Sequence, residues 1–317
     1  MRLLFALALL LSSAAAHCQE YPSKPIAAIV PFSTGSASDV IARIVLDRMA
    51  VPLGQRFVVD NRPAAGGVVG TLAATKAAPD GYLIVMGAAG PMVVNKLLMP
   101  DLGYDPEKDF EPISLYASLP NIVCVSAKLP VKNLGEFVDY AKKNPKVPYS
   151  SVGNGSSQHL AGELFAQLAG AQMQHVPYRV TTQLQADLLS GAVPASFQLL
   201  PNVIGGIKSG QIRALAVASK ARLAALPEVP TAAEAGLGSF ESAAWFGFLA
   251  PKRTPRAIVD RLNKAVAESV ADPAIRARFT EFGAQPLVST PEEFARYVSS
   301  EVLRWREIIS RGGITLD

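Results

Sequence analysis

Apolar residues recur along this chain as short runs, and between them lie stretches with helical spacing. Residues 26–30 (IAAIV) form one such run, and Ile41, Ile44, Val45 and Met49 then return on one helical face. The same alternation predicts strands at 26–30, 57–61, 83–87, 123–126, 149–152, 174–176, 195–199 and 212–218. Helices fall between them, among them 65–77, 131–143 and 181–190, the last stopped by Gly191. Strands that alternate with helices predict an α/β fold with largely parallel sheets. The C-terminal part reads as helical. Thr254-Pro255 is an N-cap signal, followed by Ile258, Leu262, Val266 and Val270 at i+4 spacing. Thr290-Pro291-Glu292-Glu293 is a capping box that opens a long final helix.

Two strand ends carry the candidate chemistry. In residues 29–43, IVPFSTGSASDVIAR, the apolar run closes on Pro31, where a missing N–H costs least. Ser33, Thr34, Gly35 and Ser36 form a loop of small side chains, and Ser36 and Asp39 stand three apart at the helix start. A helix N-terminus leaves backbone N–H groups open and favours negative charge, so such a loop can hold an anion. Its plainer reading is an ordinary helix cap. A second copy of the arrangement favours the anion. In residues 150–168, SSVGNGSSQHLAGELFAQL, a strand ends in Val152, Gly153-Asn154-Gly155 turns the chain, and Ser156 or Ser157 caps a helix. Two such loops facing across a cleft would grip a carboxylate with backbone N–H groups and hydroxyls. No cation need then be buried unpaired when the site is empty.

His159, on the first turn of that helix, suits a structural or ligand-orienting hydrogen bond, and His175 a strand histidine satisfied by its neighbours. Tyr178 and Arg179 follow the 174–176 strand, at the kind of edge where open α/β sheets place ligands. Arg179 is either a fork for a distal carboxylate or an exposed rim charge.

Composition narrows the picture. Residues 1–16 read as a secretory leader: Arg2, an apolar core too short to span a membrane, then small residues, with cleavage after Ala16 or Cys18. The rest is expected to be exported to a periplasm. Loss of Arg2 leaves 29 basic against 26 acidic residues, too even a balance for a nucleic-acid footprint. Cys18 and Cys124 are the only cysteines, so no disulfide framework is expected, and Cys124 lies in an apolar strand. Three histidines in the whole chain, with no ligand spacing, argue against a zinc site. Gly66-Gly67-Val68-Val69-Gly70 lacks the G-x-G of a nucleotide loop, so no cofactor is expected. A chain of 317 residues favours two lobes over one core. The turn-rich stretches 101–112 and 226–240 read as the connections between them.

Assembled, these segments resemble the Bug-type periplasmic solute-binding proteins, the receptor component of tripartite tricarboxylate transporters. The likeness runs over nearly all of the exported chain. It rests on IVPFSTGSASD at 29–39, LGQRFVVDNRPAAGG at 53–67, APDGY at 78–82 and YDPEKDF at 104–110. It continues through SVGNGSSQHLAGELF at 151–165, HVPYR at 175–179, IRALAVAS at 212–219 and LPEVPTAAEAG at 226–236. The resemblance implies a bilobal, type II periplasmic-binding-protein fold that closes by a hinge. Residues 19–122 with 243–317 would form one lobe, and 123–242 the other. It implies ligand contacts at Phe32, Ser33, Thr34, Gly35, Ser36 and Asp39, with Gly87 and Ala88 as the floor. Across the cleft it implies Asn154, Gly155, Ser156, Ser157 and His159, with Tyr178 and Arg179 nearby. The implied partners are a small carboxylate and membrane permease subunits, with the receptor a monomer and not an enzyme.

This chain departs from the usual pattern at Gly35-Ser36, at Val180, and at Gln198, where an aspartate commonly follows the phenylalanine. Gln198 replaces an acceptor-only group with one that also donates, which disfavours an ammonium. An aliphatic or aromatic carboxylate is therefore expected over an amino acid. Two other readings compete: an exported hydrolase using Ser157 and His159, and a sensor that docks on a signalling partner. The hydrolase lacks a nucleophile elbow and a nameable third member.

Overall fold

The computed structural model describes residues 21–312, so the leader expected at 1–18 lies outside the described residues. The chain builds two mixed α/β bodies, each around its own sheet. The first sheet has six strands: β1 (Ile26–Val30), β2 (Phe57–Asn61), β3 (Leu83–Gly87), β4 (Phe110–Pro120), β10 (Ala243–Pro251) and β11 (Gln285–Pro286), in the order β11-β4-β10-β3-β1-β2. The second has five: β5 (Ile122–Ser126), β6 (Val147–Ser151), β7 (Met173–Pro177), β8 (Ala195–Gln198) and β9 (Ile212–Val217), in the order β7-β6-β8-β5-β9.

Helices connect and cover both sheets. They are α1 (Ala37–Leu53), α2 (Val68–Thr75), α3 (Asn95–Leu98), α4 (Leu134–Lys143), α5 (Ser157–Ala169), α6 (Thr181–Ser190) and α7 (Leu200–Lys208), then α8 (Arg256–Ala271), α9 (Pro273–Glu281) and α10 (Pro291–Gly312). The 65–77 helix of the sequence reading begins instead as a short 3-10 turn, Ala65–Gly67. Thr254 does not cap α8: the N-cap is Pro255, with no side-chain cap bond, and the Thr254 hydroxyl donates to the Pro251 carbonyl at 2.8 Å. The capping box at α10 is complete: Thr290 N–H donates to Glu293 (2.8 Å), and Glu293 N–H donates to Thr290 Oγ1 (3.2 Å).

The sheets are less parallel than the alternation predicts. β1 pairs in parallel with β2 and β3, and β6 with β7 and β8. All pairs made by β4, β5 and β10 are antiparallel. The stretch 101–112 is not a connection between lobes. It leads directly into β4, one of the two long strands of the first sheet. β4 and β10 escape a periodicity reading because both of their faces are largely covered. Tyr116 stacks on Phe248 at 4.4 Å, and Gly247 leaves room for Phe294, whose Cζ would lie 2.4 Å from a Cβ there. The second lobe has its own core, with Phe137, Phe165, Tyr149 and Phe197 buried together.

The chain crosses between the sheets at Asn121, the one residue between β4 and β5. Asn121 N–H donates to the Ser242 carbonyl (2.8 Å), Ser242 N–H to the Ala218 carbonyl (3.0 Å), and Ala218 N–H to the Asn121 carbonyl (2.8 Å). This closed ring ties the outward and returning crossings at one point. No helix among the described residues is long and apolar enough to cross a membrane.

Candidate functional site

The β1–α1 and β6–α5 turns are built alike. Gly35 and Gly155 both hold left-handed φ, +75° and +73°, which a residue without a Cβ adopts at no steric cost. Ser36 and Ser156 are the N-caps, each accepting from the backbone N–H three residues on, Asp39 (3.3 Å) and His159 (3.2 Å). The side chains of those two residues then reach back one residue beyond the cap. Asp39 Oδ2 accepts from Gly35 N–H at 2.9 Å, and His159 Nδ1 accepts from Gly155 N–H at 3.2 Å. These are capping boxes shifted by one residue.

Both anchors are buried and held from behind. Asp39 Oδ1 accepts from Arg43 Nε and from Asn61 Nδ2, both at 2.9 Å, and Asn61 also donates to the Phe32 carbonyl. His159 stacks on His175 with ring centroids 3.9 Å apart, and His175 Nε2 lies 2.6 Å from Ser151 Oγ. Burial pushes the His159 pKa down to about 4. Burial and the neighbouring His159 push that of His175 to about 3. A neutral His159 is what the Gly155 bond requires, because a protonated Nδ1 cannot accept.

Two of the cavities lined by both lobes border these turns. The larger, about 230 Å³, is lined by Phe32, Ser33 and Ser36 on one side and by Gly153, Asn154, Tyr178 and Arg179 on the other. Residues Pro63 to Gly67 and Met99 complete it. The inner one, about 10 Å³, has room for about one water and is lined by Ser38, Ala88, Ala89 and Gly90 facing Ser156, Ser157 and Gln158. Phe32 and Val152 line both cavities. The first turns of α1 and α5 therefore converge from different sheets on one cleft.

The cleft is closed. A Cβ on Gly66 would lie 2.1 Å from the Asn154 carbonyl oxygen, and one on Gly90 would lie 3.1 Å from that of Gly155. Ser33 Oγ and Thr181 Oγ1 are hydrogen-bonded across it at 2.9 Å, and Ala37 N–H donates to Asn202 Oδ1 at 2.7 Å.

The residues expected at the site divide into two groups. Phe32, Ser33, Ser36, Ala88, Asn154, Ser156, Ser157, Tyr178 and Arg179 line the cavities. Thr34, Gly35, Asp39, Gly87, Gly155, His159 and Gln198 do not. Thr34 and Gly35 are exposed at the loop tip, while Asp39 and His159 anchor the loops from behind. Gly87 is a packing position, where a Cβ would sit 2.4 Å from Leu249 Cδ1. Gln198 is wholly buried and spent: its Oε1 accepts from Asn202, and its Nε2 donates to Ser196. It lines neither of these two cavities. Tyr178 donates its hydroxyl to Asp187 at 2.5 Å, and burial with that carboxylate raises its pKa to about 12. Ser157 donates to Gln158 Oε1 at 3.0 Å and His159 Nδ1 serves Gly155, so the pair is not arranged as nucleophile and base.

The sequence reading missed the 63–67 turn and Asn202. Ala65, Gly66 and Gly67 carry φ of +46°, +62° and +94°, and the Ala-Ala-Gly-Gly run is the local signal of such a left-handed turn. Asn202 has no local signal, because its partner lies 165 residues away.

Residues 41–314 match the family described as the tripartite tricarboxylate transporter family receptor. The chain is 36% identical to protein BugT of Bordetella pertussis over 298 residues, covering 93% of this chain and 91% of that one. A Rhodopseudomonas palustris protein solved with adipate superposes with a TM-score of 0.90 at 34% identity, covering 93% of this chain and 99% of that one. MatC of the same organism, solved with malate, gives 0.83 at 31% identity, covering 91% and 100%. The chain belongs to the tripartite tricarboxylate transporter receptor family, whose members are bilobal solute-binding proteins.

Proposed function

We propose that the cleft takes one carboxylate of a small organic acid between the first turns of α1 and α5. Ser33, Ser36, Asn154, Ser156 and Ser157 are the groups offered to it. What carries this reading is the convergence of two like-built helix N-termini on cavities that share Phe32 and Val152. Residues 19–122 with 243–317 act as one jaw and 123–242 as the other, turning about Asn121. The loaded receptor delivers its cargo, as an exported monomer, to the membrane permease subunits of a tripartite transporter.

The distal part of the cargo lies in the larger cavity. Among the described residues no carboxylate side chain lines that cavity, and Arg179 stands at its rim. An ammonium would find no counter-charge there, whereas a second carboxylate would find a guanidinium. Adipate and malate, bound by the two similar structures, are both dicarboxylates. A thermal-shift screen against mono-, di- and tricarboxylates and amino acids tests this. A ligand that binds only the folded form raises the melting temperature. Dicarboxylates are expected to raise it most, and a rise with amino acids alone would overturn the reading.

A further inference from the structure

Five buried polar groups form a directed chain through the second lobe into the cleft. Ala37 N–H, on the first residue of α1, donates to Asn202 Oδ1 (2.7 Å). Asn202 Nδ2 donates to Gln198 Oε1 (2.8 Å), Gln198 Nε2 to Ser196 Oγ (2.9 Å), and Ser196 Oγ to the Ser150 carbonyl (2.9 Å). Both ends are backbone groups that cannot change role: an N–H only donates and a carbonyl only accepts. They fix every amide and hydroxyl between them in one orientation. Ala37, Asn202, Gln198, Ser196 and Ser150 are all buried.

The first N–H groups of an α-helix have no partner within the helix. In α1 one of them, Ala37, is met not by its own loop but by the opposite lobe. Beside it, Ser33 Oγ pairs with Thr181 Oγ1 on the first residue of α6. These cross-lobe bonds exist only while the cleft is closed. They join groups of the protein alone, so they favour closure before any cargo arrives.

We infer that Asn202 is a positioning residue that latches the lobes, by accepting the Ala37 N–H of α1 across the cleft. Gln198 is its support, holding the amide so that oxygen and not nitrogen faces Ala37. The latch sets how much of the empty receptor is closed, and so scales affinity for every cargo by a common factor. It rests on the two-jaw reading above, but it is tested without cargo, so an error in the cargo class leaves the test intact.

The test is small-angle scattering of the ligand-free protein, the Asn202→Ala variant and the Asn202→Ala/Thr181→Val double variant, with melting curves to confirm folding. Removing one hydrogen bond changes the closed-to-open ratio about 2- to 10-fold. The wild type is expected to scatter as the closed form, with the radius of gyration rising in the single variant and again in the double. Identical curves for all three folded proteins, or a wild type as extended as the double variant, would overturn the latch. Should Asn202→Ala fail to fold, Thr181→Val alone carries the comparison, because it keeps side-chain shape and removes only the hydroxyl bond to Ser33.

Discussion

Asp39 and His159 stand at the same place in two unrelated turns, each accepting the N–H of a left-handed glycine four residues earlier. One is an acid and the other an imidazole, yet both pin a loop of small residues against the N-terminus of its helix. The cleft is thus preorganised by buried anchors, while hydroxyls and backbone face the cavity.

Asp39→Ala is expected to damage both stability and binding. It leaves Gly35 N–H without its acceptor and removes the Oδ1 that Arg43 Nε and Asn61 Nδ2 share. Arg43 is itself partly exposed, so a loss of about 1–3 kcal/mol is expected, set by the N–H left without its acceptor. Urea unfolding measures the first effect. Calorimetry with adipate measures the second, where a drop of tenfold or more is expected.

The His159–His175 stack predicts an acid limb of stability. Both pKa values lie below the ordinary histidine range, at about 4 and about 3, so the unfolded chain takes up protons that the folded one refuses. Stability is therefore full above about pH 6.5 and falls as pH drops through 6 and 5 toward 4. Glu163, 4.0 Å from His159 Nε2, does not reverse the shift. His175→Phe, which keeps a ring in the stack, should flatten part of this slope in urea melts run at several pH values.

Gly66→Ala should separate folding from closure. The added Cβ meets the Asn154 carbonyl across the cleft at 2.1 Å, and φ is +62°. The backbone strain costs about 1–2 kcal/mol. The lobes, however, can no longer meet. Near-normal melting with cargo affinity down by at least tenfold is expected. Gly162→Ala, whose Cβ would lie 2.1 Å from the Tyr149 ring inside one lobe, should instead lower the melting temperature itself.

Arg179→Ala is expected to lower affinity for dicarboxylates several-fold while leaving monocarboxylates nearly unchanged. Arg179 is an exposed residue on the wall of the larger cavity, away from the inner one between the helix N-termini. Paired titrations with adipate and hexanoate separate the two effects.

Local chemistry explains what the sequence disclosed. A strand end, a glycine and a serine three residues ahead of a polar helix position are contiguous, so both turns were legible from 29–43 and 150–168 alone. β4 and β10 were not, because strands covered on both faces lose the alternation that marks a strand. The exchange of an acid for Gln198 is visible in the sequence, but its hydrogen-bond partners are not. Its partner Asn202 lies only one turn further on, but the amide's orientation is fixed from α1, across the cleft. The roles of Asp39 and His159 lay between these cases: their positions were legible, while their aim away from the cavity depends on Asn61 and His175, which reach them from other strands.

Carboxylate capture between the two helix N-termini is decided by a crystal structure of the protein with adipate. One carboxylate of the ligand is expected in the cleft, accepting hydrogen bonds from the first turn of α1 and from the first turn of α5 at once, with the other carboxylate toward Arg179. A carboxylate held by one lobe only, or lodged outside the cleft between Phe32 and Val152, would contradict it.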